Sequence, residues 1–138
     1  MNGISQKLGY AGLIPFVFFA SAVAVGTDWA IEPFIFYSAL ILSFMAGACW
    51  GVLQAHRDHV SPVELGVAIG VFLWGWLMVY LPHTAGLAGL LVGYWVLIGL
   101  ERRAVFLTSY KPDYRTMRGI LTLVVSMCHI GVIWVLLS

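Results

Sequence analysis

The sequence predicts an all-α, polytopic membrane protein with five transmembrane helices in one compact bundle, a single membrane domain over residues 1–138. Three observations carry that expectation. Hydrophobic residues fill 62% of the chain and charged ones 9%, where an ordinary soluble domain carries about 25% charged residues. The apolar residues fall into five long runs separated by short polar breaks. All seven Lys and Arg residues fall on one side of the five-span arrangement, at or next to alternate span ends, as expected when positive residues stay on one side of a bilayer. A soluble fold of this length leaves too much surface exposed to hide so much hydrocarbon. In lipid, each run must be helical, because an open strand leaves its backbone polar groups unpaired.

The five spans lie at about 8–26, 33–54, 62–81, 84–101 and 116–137, each near the ~20 residues that cross a ~30 Å hydrocarbon core. In the first, Lys7, the apolar stretch 13–19 and "ASA" at 20–22 resemble a signal peptide. The segment is read here as the first membrane helix, with Pro15 as a possible kink. The break "DWAIEP" (28–33) places Asp28, Glu32 and Pro33 at a helix start, where acidic groups and proline are favourable. "SPVE" (61–64) is a capping box that opens the third span. "PHT" (82–84) is short enough to force an antiparallel hairpin between spans three and four.

Helices associate in lipid through small residues that let backbones approach. Span two carries Ala39, Ser43, Gly47 and Gly51 at four-residue spacing, and span four carries Ala85, Gly89 and Gly93. Span three adds Gly66 and Gly70. These are the expected packing faces, with span two central, either within the chain or against another subunit.

Few residues suggest chemistry. Cys49 and Cys128 stand inside apolar runs without metal-ligand spacing. "HRDH" (56–59) offers His56, Asp58 and His59, but no further cluster completes a metal shell. No metal or other cofactor is expected. His129 is the intramembrane polar candidate, about twelve residues from the inner end of span five, roughly 18 Å deep at 1.5 Å per residue. No second His lies at that depth for a bis-histidine haem, so a hydrogen bond to a neighbouring Ser or carbonyl is expected instead. No Asp, Glu, Lys or Arg falls deep in a span by these boundaries, and no hydrolase, kinase or nucleotide-binding motif is present. The chain is therefore expected not to be an enzyme, nor to bind nucleic acid.

The basic segment "ERRAVFLTSYKPDYRTMRG" (101–119) holds five of the seven basic residues. It sets the N-terminus in the cytoplasm and the C-terminus outside. It also nominates Arg102, Arg103, Arg115 and Arg118 as a lipid headgroup or partner site, since basic groups at the surface attract anionic headgroups by about 1 kcal/mol each. The alternative is orientation alone, with local pairing to Glu101 and Asp113.

Four stretches carry a resemblance: "LGYAGLIPF" (8–16), "YSALILSFMAGACWG" (37–51), "ERRA" (101–104) and "YRTMRGILT" (114–122). They resemble the domain of unknown function 3429 family of bacterial and mitochondrial membrane proteins, the transmembrane protein 69 type. That family often places His before the Trp-Gly of its second helix, where this chain has Cys49. The resemblance covers nearly the whole chain and implies a small helical protein of the bacterial inner membrane, but no reaction. The function expected is an accessory, assembly or lipid-organising subunit of a larger membrane complex. Its expected partners are membrane lipids and other membrane subunits or copies of itself. A small carrier or lipid translocator acting as a homo-oligomer is one alternative, with Ser43, Ser126 and His129 lining its path. A quinone-, pigment- or haem-contacting protein using His129 is the other.

Overall fold

A computed structural model describes residues 3–138. The helices are α1 (Gly3–Ala11), α2 (Ile14–Ala24), α3 (Ile31–Ala55), α4 (Pro62–Met78), α5 (His83–Leu100), α6 (Ala104–Ser109) and α7 (Pro112–Leu137). Single 3₁₀ turns at Asp28–Ala30 and Arg57–His59 introduce α3 and α4. No strand occurs among the described residues.

The expected first span is broken in two. Gly12 and Leu13 turn on i→i−3 bonds to Gly9 and Tyr10, and Pro15, which has no N–H to donate, lies in the first turn of α2. The break leaves the stretch long enough to cross a bilayer, at 19 residues over Gln6–Ala24. α2 stops at Gly26, whose φ of 90° is open chiefly to glycine. There the Thr27 and Gly26 amides donate to the Ala22 and Val23 carbonyls, a Schellman ending.

The other boundaries shift for local reasons. α3 begins two residues before the expected 33, because Pro33 fits within a first turn. α7 begins at Pro112 rather than 116, with Lys111 as its N-cap and Pro112 in its first turn. α4 starts as expected: Ser61 accepts from the Glu64 amide at 3.4 Å while the Ser61 amide donates to Glu64 Oε1 at 3.2 Å.

Length separates α4 from the other expected spans. Four stretches, 6–24, 28–55, 83–100 and 112–137, are long and apolar enough to cross a membrane, whereas α4 is an apolar helix of 17 residues. At 1.5 Å per residue α4 covers about 26 Å, short of a ~30 Å core. The chain then continues in i→i−3 turns through Val79, Tyr80 and Leu81, which add roughly 6 Å.

α3 and α5 touch each other and form the middle of the bundle; α4 packs on both, α2 on α3 and α7, and α7 on α5. Phe34, Leu42, Leu53, Leu87, Leu90 and Leu97 are fully buried between them. The outward residues are equally apolar, including Phe36, Leu40, Phe44, Phe72, Trp76 and Trp134, as befits a surface solvated by lipid rather than water. The ion pairs mark the two ends of the bundle. Glu32 and His83 approach at 3.8 Å at one end, and Arg103–Glu64 and Arg118–Glu101 lie at the other.

One glycine sets the α4–α5 hairpin. A Cβ on Gly86 would stand 2.6 Å from the Met78 carbonyl oxygen, a backbone atom. Gly86→Ala is expected to cost about 1–3 kcal/mol through overpacking, measured as thermal unfolding of the detergent-solubilised protein. At Gly89 the colliding group is the end of the flexible Met78 side chain, so Gly89→Ala should cost less.

Candidate functional site

The site forms where α5 ends and α7 begins. Glu101 is the C-cap of α5, and i→i−3 bonds from Arg102 to Gly99 and from Arg103 to Leu100 turn the chain out of it. The six-residue α6 follows and packs on α3. Its Phe106 is fully buried and stacks edge-on against Tyr110, with ring centroids 5.6 Å apart. Tyr110 in turn contacts Tyr114, 4.6 Å between centroids. This aromatic anchor fixes the returning segment over the end of the bundle.

Beneath it lies a buried ion pair. Arg118 Nε donates to Glu101 Oε1 at 3.0 Å, and each side chain is 5% exposed. Cys49 Sγ contacts the same oxygen at 3.6 Å. The second oxygen, Oε2, is buried and accepts no hydrogen bond. Burial, reinforced by Cys49 and Glu101 beside it, holds the Tyr110 phenol well above its ordinary range, so it keeps its proton.

These groups surround a cavity of about 160 Å³, lined by Glu101, Arg102, Tyr110, Arg115 and Arg118 with Ile98, Leu107 and Gly119 as its apolar wall. Three of the four expected Arg residues therefore meet. Arg103 does not join them: it reaches Glu64 at 3.8 Å, the same carboxylate that caps α4. The ion pairs among the described residues leave Arg102 and Arg115 without a carboxylate, and Asp113 pairs with neither.

The expectation is that no charged group falls deep in a span, with Arg118 at the opening of the last one. Because α7 starts four residues early, Arg118 is its seventh residue, about 9 Å along the helix axis, and it is buried against Glu101. Sequence reading named Glu101 only as a local partner of the arginines, which Arg118 bears out, and it missed Tyr110 as a member of the site. Glu101 had one signal, its place directly before two arginines at a helix end.

His129 is fully buried in the middle of the bundle. Its Nδ1–H donates to the Val125 carbonyl at 2.7 Å, which leaves Nε2 to accept from the Ser38 hydroxyl at 2.6 Å. Tyr94 donates to the Ser38 carbonyl at 2.6 Å. Phe34, Tyr94 and Phe16 enclose the imidazole at centroid distances of 4.9, 5.6 and 5.9 Å. Both ring nitrogens are thus engaged within the protein. Ser126 donates to the Thr122 carbonyl at 2.7 Å, while half-buried Ser43 borders an apolar groove with Phe36, Phe72 and Trp76.

The small residues divide. Gly75 of α4 sits against Ala39 and Ser43, and Gly93 is pressed on Leu42, whose Cδ2 would be 2.7 Å from an added Cβ. Gly89 packs on Met78. Ala85 is exposed. Gly47, Gly51, Gly66 and Gly70 face open space, with nothing within 4 Å of an added Cβ.

A bundle of apolar helices with lipid-compatible outer faces defines this chain as an all-helical integral membrane protein. Residues 1–134 match the family described as protein of unknown function DUF3429, and the chain belongs to that family. Transmembrane protein 69 of Xenopus tropicalis is 30% identical over 131 residues, covering 90% of this chain and 51% of that protein. The chain thus spans about half the length of this curated relative. No solved structure matches it.

Proposed function

We propose that the chain is a non-catalytic component of the bacterial inner membrane, an accessory, assembly or lipid-organising subunit that holds an anionic headgroup at its basic end. One observation carries the reading: Arg102, Arg115 and Arg118 line one cavity at the bundle end, and two of them lack a carboxylate. Arg102 and Arg115 are exposed at this end of the bundle, and a phosphate offers acceptors suited to their guanidinium forks.

Five crossings fit this proposal, with α4 and its terminal turn as the third, the N-terminus in the cytoplasm and the C-terminus in the periplasm. The support is the gathering of basic groups at one end, which the positive-inside rule places in the cytoplasm. The open glycines Gly47, Gly51, Gly66 and Gly70 offer close approach to another membrane helix, from a partner subunit or a second copy. A translocation path or a cofactor at His129 draws less support, because Ser126 and both nitrogens of His129 are already engaged inside the bundle.

The test is purification in mild detergent followed by analysis of bound phospholipid and chains. Wild-type protein is expected to retain phospholipid. Arg102→Gln with Arg115→Gln should lose about 2 kcal/mol of that attraction, roughly thirtyfold in affinity. A wild-type protein that carries neither phospholipid nor any partner chain contradicts the reading.

A further inference from the structure

A larger cavity, of about 240 Å³, opens on another face of α7. Tyr114, Met117, Arg118, Leu121, Thr122 and Val125 line it, at the three- and four-residue spacing that places side chains on one helix face. They reach about 16 Å along the helix axis at 1.5 Å per residue. The cavity is therefore a slot that runs from the basic end of the bundle towards its middle. Phe44 and Met45 of α3 face α7 across it, and Gly9, Gly12 and Leu13 at the α1–α2 break close one side. Irregular backbone at membrane depth is tolerated where it is buried or borders a cavity. This break borders one, and Tyr37 holds it in place by donating to the Gly12 carbonyl at 2.7 Å.

Three buried polar residues line this slot: Tyr94, Arg118 and Thr122, at 3%, 4% and 3% exposure. Two of them use their protons inside the bundle. Tyr94 donates to the Ser38 carbonyl at 2.6 Å, and Thr122 to the Arg118 carbonyl at 2.9 Å. Arg118 bonds through Nε alone among the described residues. Its terminal nitrogens are unpaired there but not sealed off, since Glu101 Oε2 is the one fully buried side-chain atom of the described residues without a partner. The Glu101 carboxylate already balances the guanidinium. A further anion would leave a net charge buried, which is costly, whereas a neutral carbonyl accepts from the guanidinium and adds no charge. We propose that the slot holds a hydrocarbon-tailed membrane lipid whose polar end is a neutral carbonyl, the ring carbonyl of a prenylquinone or the ester carbonyl of an acyl chain. The carbonyl oxygen accepts from the Arg118 terminal nitrogens, and the tail lies along Leu121 and Val125. This site goes beyond the headgroup reading and does not need Arg102 or Arg115.

The experiment is native mass spectrometry of the full chain in detergent with four probes: decylubiquinone, methyl laurate, laurate and dodecane. The tighter of the two neutral carbonyl probes should bind the wild type about tenfold better than dodecane, the scale of a hydrogen bond to a charged group, and should also exceed laurate. Whichever of decylubiquinone and methyl laurate binds more tightly names the source of the carbonyl. Dodecane binding as tightly as both, or laurate binding more tightly than both, overturns the proposal. Glu101→Gln with Arg118→Met removes the buried pair together, so no lone charge is left in the bundle, and the preference over dodecane should fall to about one. A preference that survives in this double variant overturns the assignment to Arg118. Leu121→Phe, at a half-buried position on the slot wall, keeps both charges and should weaken every tailed probe. Unchanged binding in Leu121→Phe overturns the slot as the seat of the tail.

Discussion

Arg118→Gln is expected to destabilise the protein by about 3–5 kcal/mol, because it strands the Glu101 carboxylate in the bundle. Both side chains are 5% exposed, so a stranded ion is poorly solvated. Glu101→Gln should cost a similar amount by stranding the guanidinium. Removing both charges at once leaves neither ion uncompensated, so the double variant should be markedly more stable than the sum of the singles. Unfolding of the solubilised protein, followed by helical circular dichroism, measures the cycle. Additive losses would mean that the two groups do not depend on one another.

The second large effect lies at the centre of the bundle. His129→Ala removes a fully buried side chain surrounded by Phe16, Phe34 and Tyr94, and opens a cavity of the kind that costs about 2–5 kcal/mol. It also frees the Val125 carbonyl and the Ser38 hydroxyl. Ser38 has a second acceptor in reach, the Tyr94 hydroxyl at 3.4 Å, so part of the polar loss is recovered. Ser38→Ala leaves Nε2 without its donor and should cost about 1–2 kcal/mol, within the upper range for hydrogen bonds between membrane helices. The ordering, His129→Ala above Ser38→Ala, is checked by thermal unfolding in the same detergent. A His129→Ala protein as stable as wild type would show that the imidazole does not hold α3 to α7.

These two clusters also show what can be read from sequence and what cannot. Hydropathy located the helices, and Ser61 and Glu64 announced the start of α4, because both signals act over a few neighbouring residues. The clustering of basic residues at one end was legible too, being a matter of counting along the chain. The six-residue α6 was not, since it is shorter than the periodicity that identifies a helix. Arg118 stands at a span entrance by hydropathy, because the polar run through Lys111, Asp113 and Arg115 masks the start signal that Pro112 and Asp113 give. Its burial depends on Glu101, seventeen residues away, and on the aromatic anchor above it. Arg103 and Arg102 are adjacent and alike in sequence, yet one turns to Glu64 and the other to the cavity. Only the docking of α4 beside the end of α5 separates them. Gly47 and Gly51 continue the spacing of Ala39 and Ser43, but α4 packs against the first half of the stripe and leaves the rest open.

The cavity beneath α6 is the proposed seat of a phospholipid headgroup. The most direct measurement places a photoreactive residue at Leu107, on the cavity wall, and at Leu40, on the outer face of α3, as a control. Irradiation in native membranes, followed by mass analysis of the adducts, reports which lipid lies at each position. The Leu107 adduct should carry phospholipid headgroups in higher yield than the Leu40 adduct, and Arg102→Gln with Arg115→Gln should abolish the enrichment. Adducts of the same lipid composition at both positions would contradict the claim.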